Sequence, residues 1–289
     1  MHPSRALNIP AGLFFLGLVL LGVGCATPPP DPASEKPSPS VPLVIEQGPS
    51  SIGAEPRTEK VVCLVIHHTA GSLATSLKVL QGNIPGHKVG VHYVLTDEPQ
   101  PRVIRMVPET MSAYHAGGSI WGPLQNLNQT SIGIEIINLD GNIHPYTPAQ
   151  VELLIPLCAD ILRRHDIPPR NVVAHSDIAI GRKIDPGVLF PWSRLAADGI
   201  GAWPLAEDIA TLAKGPIDLS PEHLRRRLRA YGYGVGEGEA ALRSAVMAFQ
   251  RHFRPARLDG LADEETVILL EALLLRHRPD PALPAMVKP

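Results

Sequence analysis

The strongest constraint on the fold is a set of short, continuous apolar runs that are rich in β-branched residues. The run VVCLVIHH at residues 61–68 contains no polar residue before its two terminal histidines. Such a run predicts a strand that is buried on both faces of a sheet. Similar runs predict four more strands at residues 90–97, 102–107, 131–138 and 171–177. A proline-containing turn separates the second run from the third, which predicts a hairpin.

Helical patterns lie between and after these runs. Residues 147–167 place apolar side chains at helical spacing, with Thr147 as the N-cap and Pro148 at the first helical position. Residues 72–82 and 205–214 predict two further helices. Strands and helices that alternate over about 150 residues predict an α/β fold, in which a mixed central sheet is flanked by helices. We place this domain at residues 51–214.

The chain changes character after residue 214. Residues 215–289 contain three helical patterns, and the first of them begins with the N-cap Ser220 followed by Pro221. In the second, Leu242, Val246 and Phe249 fall on one face. This part predicts a small, separate three-helix domain.

The N-terminal 50 residues differ from the rest in composition. Residues 1–24 contain the apolar run AGLFFLGLVLLGVG, which predicts a signal peptide, and Cys25 follows in a context typical of a lipoprotein cleavage site. Ordinary signal cleavage, or an uncleaved anchor, is the alternative. Residues 25–50 are rich in proline and serine and predict an extended tether. We therefore expect an outer-membrane lipoprotein that faces the periplasm, or otherwise a soluble periplasmic or secreted protein.

Charge and cysteine content exclude some classes of partner and site. The formal net charge is -2 and the isoelectric point is near 6.6, which excludes nucleic acid as the expected partner. Cys63 and Cys158 lie in apolar runs and are expected to be buried as small hydrophobic residues, although a disulfide is an alternative. The sequence contains no CxxC pair, which argues against a thiolate zinc site. We expect a monomer.

Two segments place candidate catalytic residues at the ends of strands or within them. His67 and His68 end the first run, and because successive side chains point to opposite faces, only one of them can enter a given site. The pattern does not choose between the two. Glu135 lies between isoleucines, where an ionised carboxylate is costly unless it is paired or protonated. Its face of the strand also carries Ser131 and Gly133, which are small and would leave room for a substrate. A general base is the functional interpretation of Glu135, and an edge strand facing water is the alternative.

The segment HSDIAIGRKIDPG at residues 175–187 adds five ionisable side chains. Two histidines, one of them His175, would form with Asp185 a zinc site with one open coordination position. Asp185 also begins a Pro-Gly turn, which is its structural alternative. Lys183 could stabilise an oxyanion beside such a site. For Asp177 and Arg182 we expect structural roles in shaping the loop.

Three segments in order, VIHHTAG, SIGIEIIN and VVAHSDIAIGRKIDPG, resemble the zinc-dependent N-acetylmuramoyl-L-alanine amidases of the amidase-2 type. These enzymes are related to peptidoglycan recognition proteins. The resemblance covers roughly residues 55–210, and YHAGGSIW at residues 114–121 supports it. The C-terminal helices resemble a peptidoglycan-binding domain.

This resemblance implies a role for each candidate residue. It selects His67 over His68 as a ligand of one zinc ion, together with His175 and Asp185. It implies that Glu135 is the general base, that Lys183 stabilises the oxyanion and that His115 is a possible substrate contact. The residues that the resemblance implies to be catalytic or metal-ligating are therefore Glu135, Lys183, His67, His175 and Asp185.

The implied reaction is hydrolysis of the amide between N-acetylmuramic acid, or its 1,6-anhydro form, and L-alanine of the stem peptide, in peptidoglycan degradation or recycling. The implied partners are peptidoglycan or muropeptides, and a membrane through the lipid on Cys25. A non-catalytic peptidoglycan recognition protein is one alternative. A zinc peptidase that cuts within the stem peptide is another.

Overall fold

A six-stranded mixed sheet lies at the centre of the computed structural model, which describes residues 43–86 and 88–277. The predicted signal peptide, Cys25 and residues 25–42 of the tether lie outside the described residues. All described residues belong to one compact unit, Val41–Pro289. The strands are β1 Ile45–Gln47, β2 Ala54–Pro56, β3 Cys63–His68, β4 Tyr93–Leu95, β5 Val103–Arg105, β6 Met111–Ala113, β7 Ile120–Trp121, β8 Leu124–Gln125, β9 Ser131–Ile136 and β10 Val172–Ala174.

Eight α-helices accompany these strands in the described part of the chain. They are α1 Leu73–Leu80, α2 Pro148–His165, α3 His175–Ile178, α4 Trp192–Ala197, α5 Ala206–Leu212, α6 Pro221–Tyr231, α7 Glu239–Phe253 and α8 Glu264–Arg276. None of the described helices is both long and apolar enough to cross a membrane.

The order of the central sheet is β1-β5-β4-β9-β3-β10, and every neighbouring pair is parallel except β4 and β5. Strand β3 therefore lies between two parallel partners, and the carboxyl ends of β3, β9 and β10 meet at one edge. The register sets His67 opposite Glu135. This edge is where ligands bind in open α/β sheets.

The two faces of β3 pack against different parts of the molecule. Leu64 and Ile66 are fully buried in a core that includes Leu154 and Leu157 of α2. Val65, on the opposite face, belongs to a second core formed largely by the C-terminal helices. The alternation of strand side chains thus serves two buried faces, as a strand inside a helix-flanked sheet requires.

The C-terminal region, which we define as residues 215–277, shares this second core with the sheet. Leu224 of α6, Phe249 of α7 and Leu270 of α8 are fully buried within it. The backbone of Gly122 also donates a hydrogen bond to Gly232, at 2.7 Å. The three helices therefore pack on the sheet as well as on each other.

The structure confirms the predicted helices and most of the strands. The capping box of Thr147 with Gln150 begins α2, and the hairpin of β4 and β5 is antiparallel as expected. The strand predicted at residues 171–177 is wrong at its end, because β10 stops at Ala174 and His175 begins α3. The carboxylate of Asp177 accepts the amide N–H of Ala174 at 2.8 Å and starts this helical turn.

Both cysteines in the described part of the chain are buried and free. The prediction of two small buried hydrophobic residues is confirmed, and the disulfide alternative is wrong. Burial raises the pKa of Cys63 to about 12, which keeps its thiol protonated and unreactive near neutral pH.

Candidate metal centre and active site

Three ligating side chains converge at the carboxyl edge of the sheet. His67 comes from the end of β3, His175 from the start of α3, and Asp185 from the loop that follows. The Nδ1 atoms of the two histidines are 2.9 Å apart, and Oδ2 of Asp185 lies 3.1 Å and 2.9 Å from them. All three residues are buried, and among the described residues they form a group that could hold a metal ion.

The hydrogen bond that His67 makes on the side away from the other two ligands determines which of its ring nitrogens is unprotonated. The hydroxyl of Ser131 donates to the carbonyl of Leu127 at 2.6 Å, so its oxygen accepts from Nε2 of His115 at 3.2 Å. Nδ1 of His115 then accepts from Nε2 of His67 at 3.0 Å. This chain leaves Nδ1 of His67 unprotonated and pointed at the other ligands.

Burial keeps the rings of His67 and His115 neutral. Burial, followed by the neighbouring His175, lowers the pKa of His67 to about 4. Burial and His67 lower the pKa of His115 well below its ordinary value. Each ring therefore carries a single N–H near neutral pH, as the hydrogen-bond chain requires.

His175 is oriented in the same way by a backbone group. Its Nε2 lies 3.3 Å from the carbonyl oxygen of Ala116, which can only accept a hydrogen bond. A ring that carries its single proton on Nε2 presents Nδ1 to the other ligands. Arg182 donates to the carbonyls of Ala116 and Gly118, each at 2.9 Å, and so holds this acceptor in place. The predicted loop-shaping role of Arg182 agrees with these contacts.

The donor set fits a zinc ion. Two unprotonated nitrogens and a carboxylate oxygen within 3.1 Å of one another would repel unless a cation lies among them. A tetrahedral zinc ion with bonds of about 2.0–2.1 Å separates its ligands by about 3.3 Å, close to the spacing observed. Two histidines with one carboxylate are also a known ligand set of catalytic zinc sites.

Glu135 lies across from His67 on the neighbouring strand. Its Oε2 is buried and has no hydrogen-bond partner within the described structure, although another part of the residue reaches the cleft. Burial, followed by repulsion from Asp185, raises the pKa of Glu135 well above its ordinary value, and Lys183 opposes this shift. An unpaired carboxyl group with a raised pKa is suited to accept and return a proton.

A cleft of about 550 Å³ opens over these groups. Its lining includes His115, Glu135, His175, Lys183 and Asp185. Lys183 is exposed at the rim, on the same loop as Asp185. The structure therefore brings all five residues that the sequence predicts as catalytic or ligating to one cleft or its floor.

The space beside Gly133 has a different use from the one expected. The ring of His115 fills it, and a Cβ on Gly133 would lie 2.6 Å from that ring. The expectation that Ser131 and Gly133 leave room for a substrate is therefore wrong, because these small residues accommodate a histidine that orients His67. The strand pattern gave no indication of this, since His115 lies outside the strand, in the segment between β6 and β7.

Comparisons with known proteins agree with this site. The Amidase_2 family, described as N-acetylmuramoyl-L-alanine amidase, matches residues 57–188. A putative peptidoglycan binding domain matches residues 220–270. The chain is 42% identical to the N-acetylmuramoyl-L-alanine amidase AmiD of Escherichia coli over 240 residues, which are 76% of this chain and 85% of AmiD. It is 41% identical to the 1,6-anhydro-N-acetylmuramyl-L-alanine amidase AmpD of Enterobacter cloacae, over 33% of this chain and half of AmpD.

Two solved structures resemble the fold closely. One is E. coli AmiD in complex with anhydro-N-acetylmuramic acid-L-Ala-D-γ-Glu-L-Lys, with a TM-score of 0.68 and 40% identity over 77% of this chain and 93% of the other. The second is AmpDh3 of Pseudomonas aeruginosa, with a TM-score of 0.69 and 36% identity over 76% and 93% of the two chains. Together with the family match and the arrangement of the site, these similarities show that the chain belongs to the amidase-2 family of N-acetylmuramoyl-L-alanine amidases.

Proposed function

We propose that this protein hydrolyses the amide bond between N-acetylmuramic acid, or its 1,6-anhydro form, and L-alanine of the peptidoglycan stem peptide. The observation that carries this proposal is the buried group of His67, His175 and Asp185 beside the unpaired carboxyl group of Glu135. The relatives named for this activity, and those bound to anhydromuramic peptides, support the choice of substrate.

His67, His175 and Asp185 are proposed to hold one zinc ion through Nδ1, Nδ1 and Oδ2. Zinc, when bound there, polarises the amide carbonyl and makes a water nucleophilic near neutral pH. The contacts of His115 and Ala116 support this assignment, because each engages the Nε2 side of a ligand histidine and leaves Nδ1 facing the other ligands.

Glu135 is proposed to act as the general base and then as the general acid. Its carboxylate takes a proton from the attacking water and returns it to the amine of the departing L-alanine. The raised pKa of Glu135 suits this exchange, because a carboxylate with a raised pKa is a stronger base toward the attacking water.

Lys183 is proposed to stabilise the negative charge that develops on the carbonyl oxygen. Its place at the rim of the cleft supports this role, as does its influence on the pKa of Glu135. We propose that the main role of His115 is to position His67, and that any contact with the substrate is additional. The 3.0 Å contact between Nδ1 of His115 and Nε2 of His67 supports this role.

The remaining regions are proposed to bring the active site to its substrate. Residues 51–214 perform the hydrolysis, and residues 215–289 contain the segment, 220–270, that matches a putative peptidoglycan binding domain. A peptidoglycan substrate implies the cell envelope. Residues 1–24 as a lipoprotein signal, Cys25 as the lipidated residue and residues 25–50 as a tether would place the enzyme on the outer membrane, facing the periplasm.

The role of Glu135 provides the direct test of this mechanism. Glu135→Gln keeps the size of the side chain and removes its basicity, so kcat should fall by about 10²- to 10⁴-fold while the bound zinc stays near one per chain. Peptide release from murein and metal content would be measured on the same preparation. The exposed residue Glu59, which does not line the cleft, offers a matched control, because Glu59→Gln should leave both quantities unchanged. Full activity in Glu135→Gln would refute the assigned role.

A further inference from the structure

One buried carboxylate, that of Asp177, connects the C-terminal region to the metal centre. Asp177 lies in α3, two residues after His175, and is fully buried. Its carboxylate accepts three hydrogen bonds, from the amide of Ala174 at 2.8 Å, from the hydroxyl of Tyr233 at 3.0 Å and from Nδ1 of His252 at 2.7 Å. Two of the three donors therefore come from the C-terminal region.

Both donors are fixed by ring packing at the seam between the sheet and the C-terminal region. The ring of His252 stacks on Trp192, with centroids 3.8 Å apart. The ring of Tyr233 meets Trp121 edge-on at 5.1 Å. Tyr233 and His252 are themselves 2% and 3% exposed, so neither can turn toward water without opening the core.

The protonation of Tyr233 suits a permanent donor. Burial, together with the charge of Asp177, raises the pKa of the Tyr233 hydroxyl well above its ordinary value. The hydroxyl therefore keeps its proton near neutral pH, and the carboxylate of Asp177 keeps this hydrogen bond.

The position of His175 depends on the turn that Asp177 stabilises. Helix α3 has only four residues, His175–Ile178, and one turn of helix is not stable by its own backbone hydrogen bonds. The carboxylate of Asp177 fixes the start of this turn through the amide of Ala174. The side chain of His175 leaves the turn at its first residue and enters the metal centre.

We infer that the C-terminal region is a positioning element of the metal centre, because Tyr233 and His252 hold Asp177 and thereby the turn that presents His175. This role is additional to binding of peptidoglycan and rests on the metal site of the proposed function. Loss of either donor leaves a buried carboxylate with too few partners, which favours movement of α3. Outer partners of metal ligands typically affect metal affinity by about 10- to 100-fold.

The test is the zinc affinity of the folded, full-length protein, measured by competition with a chromophoric chelator. Tyr233→Phe removes one hydroxyl and keeps the ring, and His252→Leu removes the other donor. Each variant should weaken zinc binding by about tenfold. His252→Asn offers an amide N–H close to the position of Nδ1, so its affinity should return toward that of the unaltered protein.

A control separates this role from a general loss of stability. Val267 is buried in α8, where it lines a small cleft with Leu212 and Ile217, and Val267→Ala should lower the melting temperature without changing zinc affinity. Unchanged affinity in both Tyr233→Phe and His252→Leu would overturn the inference, as would an equal loss in Val267→Ala. Failure of the unaltered protein to bind zinc would overturn the metal site itself, and this inference with it.

Discussion

The ring of His115 fits against β9 only because residue 133 is glycine. A Cβ at this position would overlap the ring. This pairing lets His115 accept the outer N–H of His67 and leave the inner nitrogen free for a cation. A residue that looked like a substrate contact in the sequence thus has a structural connection to the metal ligands. Its effect on metal binding can be measured apart from catalysis.

Replacement of His115 by leucine should raise the zinc dissociation constant by about 10- to 100-fold, because His67 loses the partner that fixes its tautomer. His115→Asn is the matched control, since its Oδ1 can accept from Nε2 of His67 much as Nδ1 does now. Competition with a chelator checks both variants. Equal affinities for His115→Leu and the unaltered protein would show that the ring does not orient His67.

The raised pKa of Glu135 predicts a specific pH dependence of stability in the metal-free protein. Between the ordinary pKa and the raised one, the folded protein holds a proton that the unfolded chain has lost. The free energy of unfolding therefore falls as pH rises through this interval. Glutamine does not titrate, so Glu135→Gln should not show this fall in the free energy of unfolding. The variant should therefore become more stable than the unaltered protein as pH rises, and the difference in the free energy of unfolding should shrink in acid. Denaturant titrations across pH check this, and a difference independent of pH would contradict it.

Among the structural elements, the loop that carries Asp185 is fixed from two sides. The carbonyl of Asp185 accepts the amide of Ser176 in α3 at 3.0 Å, and the hydroxyl of Tyr146 donates to the carbonyl of Pro186 at 2.7 Å. The backbone of Gly141 passes so near that a Cβ there would overlap the oxygen of Pro186. Close approach of two backbones thus holds a ligand that lies on no helix or strand.

Gly141→Ala should therefore destabilise the protein by about 1–3 kcal/mol and weaken zinc binding, because the added methyl group pushes the loop of Asp185 away. Gly215→Ala is a suitable control, since the nearest atom to its Cβ would be at an ordinary distance of 3.6 Å. Thermal unfolding and chelator competition would be measured on both. Identical behaviour of the two variants would show that the contact does not hold the loop.

Sequence patterns predicted the strands that carry the site residues better than they predicted the hydrogen bonds that orient those residues. The apolar run ending in His67 and the isoleucines around Glu135 follow local rules, and β3 and β9 formed where those rules placed them. The end of β10 did not, because a side chain, that of Asp177, begins a helical turn there. Whether residues 175–177 continue the strand or begin a helix depends on the contacts of the Asp177 carboxylate, which the local sequence pattern does not show.

At the scale of the whole molecule, the unpredicted features are contacts between residues far apart in the chain. His252 reaches Asp177 across 75 residues, and His67 reaches His115 across 48. Periodicity and spacing carry no information about such pairs, because each partner follows its own local pattern. The resemblance to a known family selected the ligands, whereas the hydrogen bonds that orient them became visible only in three dimensions.

Removal of the metal should affect the stability of the molecule as well as its activity. A ligand that binds only the folded state at a hundredfold excess over its dissociation constant adds about 2.7 kcal/mol. Treatment with a chelator should therefore lower the melting temperature by roughly 5–10 °C, and added zinc should restore it. Calorimetry checks this. A melting temperature that is indifferent to chelator and zinc would contradict a structural contribution of the metal to the fold.

The most direct test of the central claim is mass spectrometry of the products formed from intact sacculi and from soluble anhydro-muropeptides. We predict stem peptides with a free L-alanine N-terminus and glycan without peptide, in reactions that stop with a chelator and fail in Glu135→Gln. Cleavage within the stem peptide, or release of no product from either substrate, would contradict the account.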